Sequence, residues 1–346
     1  MNKPDYDIKV AVVILNWNGK KYLEQFIPVL IKNSNSDNVW LYVADNGSKD
    51  DSLSFLQNNF PEIKIIRLEK NYGFAEGYNR ALRKINAEYY VILNSDVEVS
   101  SNWIFPVINK MDNDKKVAAA MPKIKSYRDK SYFEYAGAAG GFIDKFGYPF
   151  CQGRILDTVE KDEGQYNTER EIFWASGACM FVRSEVFHEQ GAFDSDFFAH
   201  MEEIDLSWRM KNAGYKIMYY PDVEVYHVGG GALPNDSPFK LYLNFRNNLF
   251  MLYKNLPKES LFKIVFIRMV LDGASALVYL LKFSFGSFSA VFRAHISFYK
   301  SMKRLNKKRA KLLKNNVPST HKEQYPHSII YHFFIKKQKT FKNISF

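Results

Sequence analysis

Four short apolar, β-branched runs in about the first 95 residues each stop at an Asn or Asp turn, and a helical stretch follows each of the first three. Lys9–Leu15 runs into Asn16-Trp17-Asn18-Gly19, and Lys21–Lys32 then has helical spacing at Tyr22, Phe26, Val29 and Leu30. Val39–Ala44 stops at Asp45-Asn46-Gly47-Ser48, ahead of a helix over Asp51–Asn58 that Ser48 or Asp50 can cap. Ile63–Leu68 leads through Lys70–Gly73 to a helix over Phe74–Ile85, and Tyr89–Leu93 ends at Asn94-Ser95-Asp96. This alternation predicts an α/β fold with a mainly parallel sheet covered by helices on both faces. In such a sheet the carboxyl ends of the strands share one edge, and ligands bind there.

The four strand ends bring Asn16, Trp17, Asp45, Asn46, Asn71, Gly73, Asn94 and Asp96 toward that edge. Trp17 can stack on a base, Asp45 or Asn46 can pair with its rim, and Gly73 lets backbone approach a ligand. Each taken alone is a plain turn. All four together describe a nucleotide pocket. A carboxylate at Asp96 can hold a divalent cation against a diphosphate. Gly73 and Gly77 are spaced G-x-x-x-G after the third strand, which does not match G-x-G-x-x-G, and no G-x-x-x-x-G-K-[ST] occurs. That sets aside a dehydrogenase and a phosphate-loop enzyme.

Beyond the fourth strand the pattern loosens. Val117–Pro122 reads as a strand, Ser126–Arg170 as a long irregular insertion, and Ile172–Arg183 as an apolar run with small residues at its centre. Glu202–Asn212 reads as a helix closed by Gly214, Lys216–Tyr220 as a strand stopped by Pro221, and Phe239–Leu256 as a helix. Glu202, Glu203 and Asp205 crowd that first helix start. A helix dipole alone favours acids there. The flanking Phe197, Phe198 and Trp208 would also desolvate a carboxylate and make it a stronger base. Asp205 and Arg209 lie one turn apart and can pair. His227 precedes Gly229-Gly230-Gly231, expected as a mobile loop. A lone histidine is ordinarily structural, but here its imidazole can complete a metal site begun by Asp96.

Charge divides the chain. Of its 346 residues, 261–346 hold 17 Lys/Arg against two acids, Asp272 and Glu323, while the remainder is near neutral. A nucleic-acid enzyme would carry its basic patch around the active site, so nucleic acid is not expected as a partner. A basic tail beside apolar helices suggests anionic lipid. Leu261–Leu281 is apolar yet contains Lys263, Arg268 and Asp272. Each charge at a bilayer centre costs roughly 2.5–3.5 kcal/mol, which argues against a spanning helix. Arg268, Asp272, Ser275, Tyr279 and Lys282 instead form a polar stripe on one face. Phe283–Tyr299 is aromatic, and Lys300–Lys314 holds eight Lys/Arg and no acid. The reading is an amphipathic tail lying on the cytoplasmic membrane face, against the alternative that its apolar face packs on the body or on a second subunit of a homo-oligomer. The two cysteines, Cys151 and Cys179, exclude a disulfide scaffold and point to a reducing compartment. The polar start, Met1–Asp7, does not read as a signal peptide or anchor.

Several stretches carry a resemblance: VVILNWNG, VADNGSKDDS, EKNYGFAEGYNRAL, VILNSDV, ASGACMFVRSEVF and GAFDSDFFAHMEEIDLSWRMKNAGYKIMYYPDVEVYH. Residues 8 to about 255 resemble the family 2 glycosyltransferases of the GT-A fold, in their rhamnosyltransferase-like branch. The resemblance implies a Rossmann-like catalytic domain over 1–255, followed by the basic tail over 256–346. It also implies an inverting, metal-dependent transferase that moves a sugar, rhamnose on a thymidine diphosphate by branch likeness, to a glycan or lipid-linked glycan in cell-envelope polysaccharide synthesis. In the family's D-x-D motif the last acid binds Mg²⁺ or Mn²⁺. Asp96 matches it, while Asn94 stands at the first. The family's Glu-Asp pair places the general base at Glu203, with Asp205 as fallback. His227 matches a histidine that joins the metal. Asp45 and Asn46 occupy the base-reading turn, and Arg246 lies where the family often has Arg-Asn near the diphosphate. The competing expectations are a sugar nucleotidyltransferase, for which Asn16–Lys21 is a poor triphosphate loop, and a non-catalytic basic membrane-binding protein. Removing 261–346 is expected to leave a transferase that still hydrolyses donor.

Overall fold

The chain opens on β1 (Ile8–Asn16), α1 (Lys20–Ser34), β2 (Val39–Asp45), α2 (Ser52–Asn59), β3 (Lys64–Arg67), α3 (Gly73–Leu82) and β4 (Ala87–Leu93). The structure is a computed structural model that describes residues 6–229, 237–313, 320–344 and 346. β1 and β4 are apolar at almost every position and buried on both faces, as central parallel strands must be. β1 pairs in parallel with β2 and β4, and β2 with β3. The register sets Asn16 beside Asp45, and Asp45 beside Arg67, so the strand ends share one edge.

β5 (Val97–Val99), α4 (Phe105–Asn113) and β6 (Val117–Ser126) follow. The stretch read as irregular folds into a small sheet of its own: β7 (Gly141–Asp144), β8 (Pro149–Cys151), β9 (Arg154–Ile155) and β10 (Thr158–Val159). Its two- to four-residue strands are too short to give a sequence period. β11 (Arg170–Ile172) and β12 (Cys179–Arg183) split the apolar run 172–183 at the turn holding Ser176 and Gly177. After α5 (Ser184–Glu189) and α6 (Glu202–Asn212), β13 spans Lys216–His227. Pro221 therefore does not end this strand. It falls at a register shift between Tyr220 and Glu224 in the pairing with β6, where its missing N–H costs no ladder bond. The main sheet runs β11-β13-β6-β12-β4-β1-β2-β3, with β5 added against β13. β6 and β13 are parallel to each other, and β12 runs antiparallel between β6 and β4.

The remaining elements are α7 (Pro238–Asn255), α8 (Lys258–Leu281), α9 (Phe285–Lys300), α10 (Met302–Leu312), β14 (Gln324–Tyr325) and α11 (Ile329–Phe334). The boundary expected at 255 falls between α7 and α8, yet the tail is knitted into the body. β14 adds a parallel strand to β7, and Phe341 and Phe346 lie 5.3 and 4.7 Å from Phe142. Asp144 at the end of β7 accepts from the backbone N–H of Tyr148 and Ile329. Burial raises its carboxyl to about 6.

Candidate active site

The shared edge of β1, β2 and β4 opens into a cleft of about 320 Å³. That size suits part of a nucleotide sugar. Of the predicted site residues, Trp17, Asn46, Asn71, Gly73, Asn94, Asp96, Glu203 and His227 line it; Asn16, Asp45, Asp205 and Arg246 do not.

On the β1 side of the cleft, Trp17 is 46% exposed, a ring free to stack. Beneath it lie groups that shape loops. Buried Asn16 donates to Asp45 Oδ1 at 3.3 Å and to Ser48 Oγ at 3.2 Å. Asp45 also accepts from the Ser48 N–H at 3.1 Å, closing its own turn. Asn46 accepts from the Tyr72 N–H and donates to Asn71 Oδ1 and the Gly73 carbonyl, which fixes the 71–73 loop. Gly73 has φ +77°, and a Cβ there would lie 2.5 Å from the Phe198 ring. The neighbour that requires this glycine is the 198 loop rather than a ligand.

Asp96 follows β4 and begins the turn into β5. Because Val97 pairs with His227 across β5 and β13, the two side chains meet: Asp96 Oδ1 lies 3.1 Å from His227 Nε2. Asn94 Nδ2 lies 3.4 Å from the same nitrogen. Nδ1 faces Glu134 Oε2 at 3.2 Å, off the line of a formed hydrogen bond. Burial alone would lower the imidazole pKa, but Glu134 and Asp96 outweigh it and raise it to about 10.

Opposite stands the α6 start. The approach to it is held in left-handed backbone at three non-glycine residues, Phe198 (φ 64°), His200 (φ 70°) and Met201 (φ 73°). Such strain persists only where surroundings enforce it. Asn247, fully buried on α7, donates to the carbonyls of Phe197, Ala199 and His200 at 2.9, 2.8 and 2.8 Å. Arg246 donates to the carbonyls of Asp196 and Phe197, and the Phe198 carbonyl accepts from the N–H groups of Phe74 and Ala75. Arg246 thus braces this loop away from the cleft, contrary to the expectation that it meets the diphosphate.

The loop delivers Glu202 and Glu203 to the cleft, each with one buried, unpartnered carboxylate oxygen. Desolvation raises Glu203 to about 7, and desolvation plus the Glu203 charge holds Glu202 well above the usual carboxylate range. Asp205 points the other way. It is fully buried and accepts from Arg209 Nε at 2.9 Å, Lys254 Nζ at 2.9 Å and Asn255 Nδ2 at 2.8 Å. With its oxygens engaged and no access to the cleft, it fills a structural position rather than that of an alternative base.

Sequence reasoning missed two cleft groups, Lys240 and His200, and a third, Glu134, that backs His227. Glu134 sits in the stretch read as irregular, and only its spatial partner His227 marks it. Lys240, one residue beyond the start expected for α7, is a cation on the cleft wall whose pKa burial lowers against the pull of Glu134. His200 has an unpartnered Nε2, and burial followed by the Lys240 charge lowers it to about 4, so it stays neutral.

Comparisons with known proteins agree with this geometry. The family model for glycosyl transferase family 2 matches residues 11–191, just over half of the chain. N-acetylglucosaminyl-diphospho-decaprenol L-rhamnosyltransferase of Mycobacterium tuberculosis is 24% identical over 322 residues, covering 88% of this chain and 97% of the relative. Rhamnosyltransferase WbbL of Escherichia coli is 24% identical over 214 residues, covering 59% of this chain and 79% of the relative. The crystal structure of GalNAc-T7 with UDP, GalNAc and Mn²⁺ superposes with a TM-score of 0.55 at 17% identity. That match covers 71% of this chain and 48% of the GalNAc-T7 chain, about half its length, and bears on the fold alone. The fold is of the GT-A type.

Proposed function

The chain belongs to glycosyl transferase family 2, and from that premise we propose that it transfers a sugar from a nucleotide-diphosphate donor to a hydroxyl of a lipid-linked glycan, with inversion. Rhamnose is the proposed sugar, because two rhamnosyltransferases align with much of the chain. The name of the mycobacterial relative supports a diphospho-lipid acceptor and a place in cell-envelope polysaccharide synthesis. Such an acceptor puts the reaction at the cytoplasmic face of a membrane.

The carrying observation is that a half-buried Glu203 carboxylate, with one oxygen unpartnered, shares one cleft with the Asp96–His227 pair. A carboxyl near 7 is poised to take a proton at neutral pH. Glu203 removes the acceptor hydroxyl proton as that oxygen attacks the anomeric carbon, and the bond to the diphosphate breaks on the opposite face. Burial and the neighbouring Glu203 charge disfavour ionisation of Glu202, which limits a second negative charge against the incoming oxygen. Trp17 stacks on the donor base, while Asn71 and Gly73 shape the wall beneath it. Lys240 brings positive charge to the same cleft as the diphosphate.

A Mg²⁺ or Mn²⁺ ion fits the donor set. Asp96 Oδ1 and His227 Nε2, a carboxylate oxygen and an imidazole nitrogen of the kind such ions take, lie 3.1 Å apart at the cleft. Glu134 beside Nδ1 would keep the proton on that nitrogen when an ion takes the place of the Nε2 proton. Among the described residues no three acid, histidine or cysteine side chains form a closed cage, which leaves coordination positions for the donor's own oxygens. Asp96 and His227 would hold the ion, which would supply charge against the leaving diphosphate.

Thermal shift against a panel of nucleoside diphosphates, with and without Mn²⁺, tests the reading. One nucleotide is expected to stabilise the protein only with Mn²⁺, by about 2.7 kcal/mol at a hundredfold excess over Kd, and Asp96→Ala should abolish the effect. No shift with any nucleotide would overturn it.

A further inference from the structure

The polar stripe of α8 is turned into the protein and its apolar face is turned out. Asp272 is fully buried, 2.8 Å from Arg268 Nε and 3.3 Å from His295, and Arg268 lies over the Tyr148 ring at 3.7 Å. On the opposite side Phe262, Phe266, Val270, Leu277 and Leu281 recur at helical spacing and are 55–83% exposed. This inverts the usual order for a helix packed on a soluble body. Only 22% of the most apolar stretch of α8 is covered by the rest of the protein.

α9 carries a second outward stripe at Phe292, Ile296 and Tyr299, each at least 50% exposed. The two stripes meet, since the Tyr299 hydroxyl reaches the Met269 sulfur at 3.3 Å, beside Val270. Contiguous apolar surface of this kind marks an interaction site. The chain then turns into α10, whose two sides divide its cations. Arg304 pairs with Asp196 at 2.7 Å, and Lys308 with Asp194 and Asp196, so these face the body. Lys303, Lys307 and Lys311 lie on the adjoining face, exposed, at steps of four.

We propose that the α8–α9 apolar face, together with the lysine row of α10, docks in the plane of an anionic bilayer without crossing it. This deepens the membrane placement in the proposed function and names the surface responsible. α8 is long and apolar enough to span by length and composition. Spanning would strip Arg268 and Asp272 from Tyr148 and His295 and set them in lipid, whereas lying flat keeps them where they are. An exposed lysine row on α10, the helix that directly follows α9, is the complement of acidic phospholipid headgroups, and it disfavours a second copy carrying the same row. The basic run expected on lipid is thereby halved in role: Arg304 and Lys308 serve the catalytic domain, and the outer lysines serve the membrane.

The test is co-flotation of the full chain with vesicles of phosphatidylcholine alone or mixed with phosphatidylglycerol. Binding is expected to the mixed vesicles and to weaken in 1 M NaCl. Lys303→Glu/Lys307→Glu/Lys311→Glu should weaken it by about a hundredfold or more. Phe266→Glu/Val270→Glu/Leu277→Glu should abolish it. Both variants alter exposed positions, so an unchanged Tm and unchanged donor hydrolysis report that they fold. A wild-type chain that stays out of both vesicle fractions overturns the proposal. So does a chain that is dimeric by light scattering, monomeric after the apolar substitutions and unbound to vesicles. Donor hydrolysis without flotation would sink the docking face and leave the transferase standing; flotation without any nucleotide effect would do the reverse.

Discussion

Replacing Glu203 by Gln should lower activity and raise stability together, a pair of signs that follows from its surroundings. The substitution keeps size and removes the charge. A positioned general base contributes about 10²–10⁴ in rate, or roughly 3–5 kcal/mol of barrier. Turnover at saturating substrates should fall by that factor, while the Kd for the donor nucleotide stays within about threefold. With a carboxyl at about 7, roughly half the wild-type enzyme is active at pH 7 and about a tenth at pH 6, so kcat should rise about tenfold per unit before levelling. The variant should lack this limb. Stability runs the other way. Desolvation raises the folded pKa above the ordinary 4.5 to about 7, so wild-type stability is fully present below 4.5 and is lost as pH rises through 7. That gap corresponds to at most about 3 kcal/mol. Glutamine carries no such penalty, so the variant should melt higher than wild type above pH 7 and match it at pH 4. Coupled assays of kcat across pH 5.5–8.5 and calorimetry at the two extremes read both signs. A variant with turnover within threefold of wild type and an intact acid limb would refute the assignment of the base.

Asp205→Asn should behave oppositely: it leaves buried Arg209 without its carboxylate and Lys254 with Asp194 alone, costing about 3–5 kcal/mol in chemical denaturation, while the folded fraction keeps the wild-type pH–kcat profile. A loss of the acid limb instead would reopen Asp205 as the base. Gly73→Ala adds strain at φ +77° and sets a Cβ 2.6 Å from the Phe198 carbonyl. It should cost about 1–3 kcal/mol of stability and lower kcat by displacing the loop that carries Glu203, as thermal melts and steady-state kinetics would show.

Much of the catalytic half was legible because its signals are local. Each parallel strand is a short apolar run with a polar stop, and the stops fall on one edge whatever the tertiary detail. That is why Trp17, Asn71, Asn94 and Asp96 are legible and reach the cleft, while Glu203 is marked instead by the acid cluster at the α6 start. The misassignments share one cause. Whether an Asn or Asp at a turn reaches ligand or backbone depends on which groups nearby need a partner, and those come from distant sequence. Asp45 is consumed by Asn16 and Ser48, and Arg246 by carbonyls 50 and 49 residues away. Glu134 becomes visible only once β5 and β13 set His227 opposite it. The small second sheet was unreadable because its strands are too short for a period and its last member, β14, comes from the far end of the chain.

That long-range closure changes what the tail is. It appeared separable in sequence, because its charge and apolar content break sharply from the body. Yet Lys254 and Lys308 both pair with Asp194, and Arg304 and Lys308 with Asp196, the two acids just before the strained approach to Glu202 and Glu203. Arg246 and Asn247 hold the same approach from α7, which packs against α9 and α10. Cutting at 261 would remove the α10 cations, the β14 strand and the Phe341 and Phe346 rings over Phe142 in one step. A chain cut there is therefore expected to lose donor hydrolysis along with the support of this loop, which an activity assay on the truncated chain would check. The cations nearest the catalytic loop and the lysines facing outward lie on adjoining faces of one helix, roughly 100° apart. A load on α10 from a membrane surface would thus act through Asp194 and Asp196 on the segment that sets the proposed base.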